Sequence, residues 1–399
     1  MKILFLHPNF PGQFKHIAKD AAEQGHEVKF LCQTHYGRRL PGVDRVCMKG
    51  ALGHEARKSK QLDLNDDSKE LSLQYRQGFI HLMSQGWEPD IVVSHTAWGC
   101  GVFIKEIWPD CYFIGYLEWW FAAESNFFLY DEKNQDLNLS KDKTQKYWLR
   151  NECISMELIT SDVIISPTHW QKLQLPKGIR PKCRVIFDGI DTDTIKFNPQ
   201  SWSIDKPIVT YGTRGMEPMR GFPQFIKSIP AILNIHPKLK IQIAGEDTVS
   251  YGGRPPIEGS WKKWAIKYLE DRKCLDRVEW MGYLKGDEYI NWLSASWCHI
   301  YLTHPFVTSW SFVEAIFLGC PLVASNVRPV REIILNTTNY ALVDHREINS
   351  IYLAVKHFIR KPISRNQHAS SPAKLEHMTL KTCLEAWRLV LSGDLSTNT

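Results

Sequence analysis

The sequence predicts an α/β fold of two doubly wound parallel sheets, and three observations predict it. The first is a set of short apolar runs of four or five residues. In the first half these are Ile3–Leu6, Val28–Cys32, Ile91–Ser94, Tyr112–Tyr116, Val163–Ser166 and Arg184–Phe187. In the second half they are Ile208–Tyr211, Lys240–Ala244, Val278–Met281, His299–Leu302 and Pro321–Ala324. Runs this short read as strands buried on both faces. The second observation is that helix-length segments such as Gln13–Gln24, Phe222–Asn234 and Phe312–Leu318 alternate with them. Regular alternation argues for parallel sheets with helices on both faces. The third is length: 399 residues exceed one ordinary core, and Phe197-Asn198-Pro199, with a polar stretch to Pro207, marks a seam.

The seam sets the expected organisation. An N-terminal Rossmann-like domain spans 1–198 and a C-terminal one spans 199–375. An amphipathic helix within 376–392 returns to the N-terminal domain, and 393–399 is a loose tail. Glu132–Lys146 reads as a polar surface excursion. Two such domains joined by a short linker place a cleft between them. Doubly wound sheets bind ligands at the carboxyl ends of their strands.

Composition narrows the function classes. The apolar share is 43% and the charged share 23%, which is globular usage. The opening apolar run stops at His7-Pro8-Asn9, too short for a signal peptide, and no stretch has bilayer-spanning length. A cytoplasmic protein is expected, with peripheral contact at the inner membrane left open. The ten Cys are scattered without a C-x-x-C pair, which suits buried thiols and offers no metal site. The formal charge of +6 arises in the second half. So modest an excess suits an anionic small ligand better than a nucleic-acid track.

Four constellations carry candidate chemistry. In Phe10-Pro11-Gly12-Gln13-Phe14, Gly12 sits where the first strand turns into a helix, so backbone amides can approach a phosphate or sugar; the alternative is a plain turn. The motif is not G-x-G-x-x-G, which disfavours a dinucleotide. Arg214 and Arg220, six residues apart in a Gly-rich segment after strand Ile208–Tyr211, can close on a diphosphate; the alternative is two solvated arginines. Ser309, Trp310 and Ser311 open a helix after strand His299–Leu302. Either serine can cap that helix, and the amides above the cap make an anion site. Glu314 then falls in the first turn, where it can accept bonds from ribose hydroxyls or simply favour the helix dipole. His95 ends an N-domain strand facing the expected cleft; it handles protons or is structural.

Together these features resemble glycosyltransferase family 4, of the two-domain GT-B architecture. Val185-Ile186-Phe187-Asp188-Gly189-Ile190-Asp191 through Phe197-Asn198-Pro199 is similar to the family's interdomain passage "NGVD…FxP". Arg214 and Arg220 match its phosphate-binding Arg and Lys. Trp280-Met281-Gly282-Tyr283-Leu284 resembles the "FLG" loop, which implies nucleobase contact through backbone at Gly282, Tyr283 and Leu284. Glu314 through Ser325 resembles "EAMACGCPVVAS", and His95 matches a histidine near the donor sugar. Phe10–Phe14 resembles a subgroup carrying "FPGQF". Phe306 stands where the family carries the first of two glutamates eight positions apart, and Val307-Thr308-Ser309 replaces "GFG". The family's sugar preference therefore does not carry over.

The resemblance implies a retaining transfer from a UDP- or GDP-sugar to a polysaccharide, lipid-linked or small acceptor, without metal or other cofactor and without nucleic acid. The single D-x-D triplet, Asp191-Thr192-Asp193, lies in the interdomain passage and reads as structural. Two alternatives stand beside it. A phosphorylase or hydrolase would use Glu314 with Glu118, and a silent binding protein would hold a nucleotide sugar without turnover.

Overall fold

The computed structural model describes residues 1–48, 64–122, 129–137, 141–250, 255, 257, 259–335, 337, 339–363 and 373–393. Strands apolar on both faces need helices above and below, and the chain supplies them twice. The first sheet has seven parallel strands. They are β1 (Lys2–Leu6), β2 (Glu27–Cys32), β3 (Val43–Cys47), β4 (Ile91–His95), β5 (Tyr112–Tyr116), β6 (Val163–Ser166) and β7 (Cys183–Val185), in the order β3-β2-β1-β4-β5-β6-β7. The second has six: β8 (Ile208–Gly215), β9 (Lys240–Glu246), β10 (Val278–Gly282), β11 (Cys298–Tyr301), β12 (Leu322–Ser325) and β13 (Tyr340–Val343), in the order β10-β9-β8-β11-β12-β13.

Both orders reverse direction once. In the first sheet the reversal lies between β1 and β4, where Leu4 stands opposite Val92. In the second it lies between β8 and β11, where His299 stands opposite Thr210. Loops diverge to opposite faces at such a switch point and leave a crevice beyond the strand ends, the general ligand site of these sheets.

The chain folds into two compact units. The first gathers the described residues of Met1–Glu124, Gln145–Gly189 and Leu380–Thr399, and the second those of Ser125–Thr144 and Ile190–Thr379. The final helix, Leu380–Leu391, buries Cys383, Trp387, Val390 and Leu391 and lies against helix Lys15–Glu23. Arg388 adds a two-pronged bond to Asp20, at 2.9 and 2.6 Å. Inside the expected excursion Glu132–Lys146, Gln135–Leu137 forms a 3-10 turn, and a helix begins at Lys141; residues 138–140 lie outside the described residues. The expected tail lies, beyond Gly393, outside them as well.

Strands β3 and β13 carry no strong sequence signal. Val43-Asp44-Arg45-Val46-Cys47 is partly exposed at one sheet edge, and β13 is four residues at the edge of the other. Edge strands bury one face or less and so lack a continuous apolar run. None of the ten cysteines forms a disulfide, and only Cys47 is exposed. Among the described residues no helix is long and apolar enough to cross a membrane.

Candidate functional site

At the first switch point, β1 leads into His7 and β4 ends on His95. Their rings meet edge to face at 5.0 Å. Both side chains are buried. His7 Nδ1 accepts the Asn9 N–H at 2.9 Å. Burial, then repulsion from His95, holds the His7 imidazole well below its usual range, so it is neutral at pH 7. His95 Nδ1 accepts the Ala97 N–H at 3.4 Å, which puts the proton of a neutral ring on Nε2. That Nε2 makes no hydrogen bond among the described residues and stands 3.6 Å from Glu118 Oε2. His95 thus presents a donor with unused capacity beside a carboxylate.

Phe14 and Tyr116 complete this floor, 6.4 and 5.2 Å from the His95 ring. Tyr116 Oη donates to Asp188 at 2.5 Å, and burial followed by the Asp188 charge pushes its phenol well above the usual range. Gly12 adopts φ +51°, and a Cβ there would stand 2.7 Å from His7 Cδ2. The space at Gly12 is therefore occupied by the His7 ring. Beneath the floor, Glu157 is fully buried and accepts the Ser94 hydroxyl at 2.7 Å. Burial pushes its carboxyl up to about 8, against the opposing bonds from Ser94 and Gly101, so it is mostly protonated at neutral pH.

At the second switch point, β8 does not stop at Tyr211 as the sequence suggests. Continued pairing with β9 carries it to Gly215 through a register shift between Gly212 and Gly215. Arg214 is on this extension, exposed, rather than in a loop. Arg220 closes the 3-10 turn Pro218–Arg220, just before helix Phe222–Leu233, and is half-buried. Its carbonyl accepts the Tyr211 hydroxyl at 2.8 Å, and its Nη1 donates to Thr303 Oγ1 at 2.9 Å. Elsewhere guanidiniums meet carboxylates, as in Arg388–Asp20 and Arg346–Asp344. Neither Arg214 nor Arg220 pairs with a carboxylate among the described residues. Their charge is uncompensated, which suits an anion.

The helix after β11 runs Trp310–Phe317, so its first turn comes earlier than expected. Ser309, with extended φ/ψ, takes the N-cap position. Its hydroxyl does not cap the helix; it pairs with Ser311 Oγ at 2.9 Å, while its N–H donates to Tyr301 Oη at 3.2 Å. Glu314 is consequently the fifth helical residue, and no acidic residue lies in the first turn. The helix-dipole account of Glu314 loses its basis, because that effect fades beyond the first turn. Instead Glu314 Oε2 accepts the Tyr289 hydroxyl at 2.9 Å, and burial raises its carboxyl above the usual range. Trp310 is half exposed and Ser311 partly so.

Gly282 ends β10 with φ +65° and open space around it; Tyr283 is exposed and Leu284 partly so. Phe306 is buried, and the neighbouring Thr308 hydroxyl is buried without a hydrogen-bond partner among the described residues. Asp191 Oδ1 accepts the backbone N–H of Asp193 at 3.2 Å and of Thr194 at 3.4 Å. One carboxylate of the D-x-D triplet thus closes its own turn. Among the described residues no cluster of three or more His, Cys, Asp or Glu is arranged to hold a metal ion.

The sheet ends therefore bring His95 and Gly12 to the His7 ring in the first unit and Arg220 to Thr303 in the second. Several residues here carry no sequence signal of their own. His7 is marked only by its place one residue past a strand end. Tyr289 and Thr303 become relevant only through contacts between separate elements.

Comparison with known proteins follows the same division. The sequence model for the "Glycosyl transferase family 4 group" matches residues 24–195, and that for "Glycosyl transferases group 1" matches residues 194–374. Together they span most of the chain. The chain belongs to the group 1 glycosyltransferases. Among solved structures this glycosyltransferase is similar to Anabaena Alr3699/HepE in complex with UDP and glucose. The TM-score is 0.70 at 15% identity, covering 98% of this chain and 100% of that one. Sucrose-phosphate synthase (tll1590) from Thermosynechococcus elongatus gives a TM-score of 0.71 at 12% identity, covering 98% and 100%. These likenesses establish the GT-B fold of two Rossmann-like domains. Curated glycogen synthases of Mycobacterium tuberculosis are 23% identical over 185 residues, 46% of this chain and 42% of theirs. The match thus spans less than half of those relatives.

Proposed function

We propose that this glycosyltransferase moves a sugar from a nucleotide-diphosphate donor to an acceptor hydroxyl, with retention of configuration and without a divalent metal. The observation that carries this reading is Arg220. It is held by a neutral hydroxyl rather than a carboxylate, at the second switch point, with Arg214 on the adjacent strand extension. Two uncompensated guanidiniums at a strand-end crevice suit a diphosphate. They would stabilise charge developing on the leaving phosphate, the task a metal performs in other transferases.

The remaining parts take roles consistent with this one. Glu314, oriented by Tyr289, would accept ribose hydroxyls, and backbone at Gly282, Tyr283 and Leu284 would meet the nucleobase. Amides near Ser309, Trp310 and Ser311 would add to the anion site. At the first switch point the His95 Nε2–H would donate to a sugar oxygen, and Gly12 shapes the floor beneath it. UDP is a natural first donor nucleotide because a structural relative binds it; GDP is the second. Polysaccharide, lipid-linked and small acceptors are all compatible, as is a cytoplasmic enzyme with peripheral membrane contact.

A binding panel of UDP, GDP, ADP and their sugars, followed by product analysis in EDTA, tests the reading. Release of nucleotide diphosphate with glycosyl transfer supports it. Sugar-phosphate formation from free phosphate would favour a phosphorylase, and tight binding without turnover a silent receptor. Turnover lost in EDTA and restored by manganese would overturn metal independence.

A further inference from the structure

One buried polar chain in the second unit has no role in the reading above. Thr303, which holds the Arg220 guanidinium, donates its own N–H to Ser325 Oγ at 2.9 Å. Ser325 Oγ is in turn 2.8 Å from His345 Nδ1. Ser325 ends β12 and His345 lies just past β13, so two strands beyond the switch point converge on one arginine. The Ser325 hydroxyl can donate to this nitrogen or accept from it, and the other ring nitrogen of His345 is Nε2. That Nε2 is fully buried and has no hydrogen-bond partner among the described residues.

His345 also borders the space beside Gly221, the residue after Arg220. Gly221 has φ +63°, and a Cβ there would stand 2.7 Å from Leu302 Cβ and 3.3 Å from His345 Cδ2. The imidazole thus reaches Arg220 through the hydrogen-bonded chain to its guanidinium, and its edge lies beside the space at the next residue. Leaving a buried polar nitrogen unpaired is unfavourable, and such a group calls for an explanation.

We propose that His345, acting through Ser325 and Thr303, is a positioning residue that fixes the Arg220 guanidinium for its anion. The inference rests on the phosphate role of Arg220 proposed above. Burial, then the neighbouring His304, pushes the His345 imidazole down to about 3, so the chain stays uncharged at working pH and does not compete with the anion for Arg220.

The test measures binding of UDP and GDP against uridine and guanosine for the wild type, Arg220→Ala, Ser325→Ala, His345→Leu and His345→Asn, with melting temperatures for each. Asn can place an amide group near the Nδ1 position. Ser325→Ala and His345→Leu should weaken diphosphate binding about tenfold, the scale of one modest hydrogen bond, and leave nucleoside binding unchanged. His345→Asn should retain most of the affinity. If Arg220→Ala loses the diphosphate while folded Ser325→Ala and His345→Leu do not, this inference fails and the phosphate role stands. Equal losses for nucleoside and diphosphate would reduce His345 to a structural part. If His345→Leu does not fold, Ser325→Ala decides alone. A wild type that binds neither diphosphate overturns the proposed function and this inference with it.

Discussion

The two switch points share a topology and differ in their chemistry. At the first, buried rings meet: His7, His95, Phe14 and Tyr116, over a protonated Glu157. At the second, Arg220 leans on the Thr303 hydroxyl, and Arg214 is exposed on the strand extension without a carboxylate partner among the described residues. Each place also contains a pair of buried histidines, with rings 5.0 Å apart in the first unit and 5.4 Å in the second. Strand order decides where a crevice opens, and the residues just past the strand ends decide what it binds. An aromatic floor suits a sugar ring, and uncompensated guanidiniums suit an anion.

The largest effect should come from the carboxyl under the first floor. Glu157 moves from the ordinary 4.5 up to about 8 because burial disfavours its charge. The folded state therefore binds its proton more tightly than the unfolded state does. Its contribution is fully present below about 4.5 and is lost as pH rises through about 8, with a total of a few kcal/mol. Glu157→Gln keeps the shape and the Ser94 contact but cannot ionise. Melting curves from pH 5 to 9 should show the wild type losing stability relative to the variant as pH rises. Parallel curves would mean that Glu157 is already charged at neutral pH.

Next in size is Arg220→Ala, which should cost about 1.5–3 kcal/mol of diphosphate affinity, roughly 10- to 150-fold, with nucleoside affinity little changed. His95→Ala makes the contrasting case, since the first floor should matter to turnover and not to diphosphate binding. If His95→Ala weakens UDP as much as Arg220→Ala does, the division of labour between the switch points is wrong.

A third comparison sets glycines against each other. Gly12→Ala must hold φ near +51° and also displace the His7 ring from 2.7 Å. Gly86→Ala, at φ +72° with nothing within 4 Å, meets only the backbone cost. The left-handed conformation alone is worth about 1–2 kcal/mol. Gly12→Ala should exceed Gly86→Ala in lost stability and should also lower turnover, because His7 packs on His95. Equal losses from the two substitutions would mean that His7 yields freely.

Much of this arrangement is legible in the residues. Central strands such as Ile3–Leu6 and Ile91–Ser94 announce themselves because burial on both faces demands unbroken apolar runs. Arg214 and Arg220 stand out by charge and spacing. The partners that give them meaning do not. Thr303 and Ser325 are small hydroxyl residues in apolar surroundings, and His345 follows a four-residue edge strand with little periodicity to read. Their relation exists only after β11, β12 and β13 are laid side by side. The sequence places the start of the helix carrying Glu314 too late, because Ser309 and Ser311 are both chemically able to begin it. Their pairing with each other, and the extended backbone at Ser309, settle the start at Trp310.

That shift changes what Glu314→Gln should do. A carboxylate in a first turn would lose helix-dipole stabilisation on becoming neutral, but Glu314 is the fifth helical residue, where that effect is small. Its carboxyl is raised above the usual range chiefly by burial, with the Tyr289 hydroxyl opposing. Neutralising it removes a desolvated charge and keeps an acceptor for Tyr289, so stability should change by no more than about 0.5 kcal/mol, as for a substitution without a large structural cause. Donor affinity should respond differently. A carboxylate accepting two ribose hydroxyls makes stronger bonds than an amide, which can accept at only one of its two heavy atoms. UDP or GDP binding should therefore fall by several-fold at pH 7, while binding of inorganic diphosphate, which has no ribose, should not change. Equal loss of both would mean that Glu314 acts on the anion site through its helix, and no loss of either would leave it as a structural partner of Tyr289.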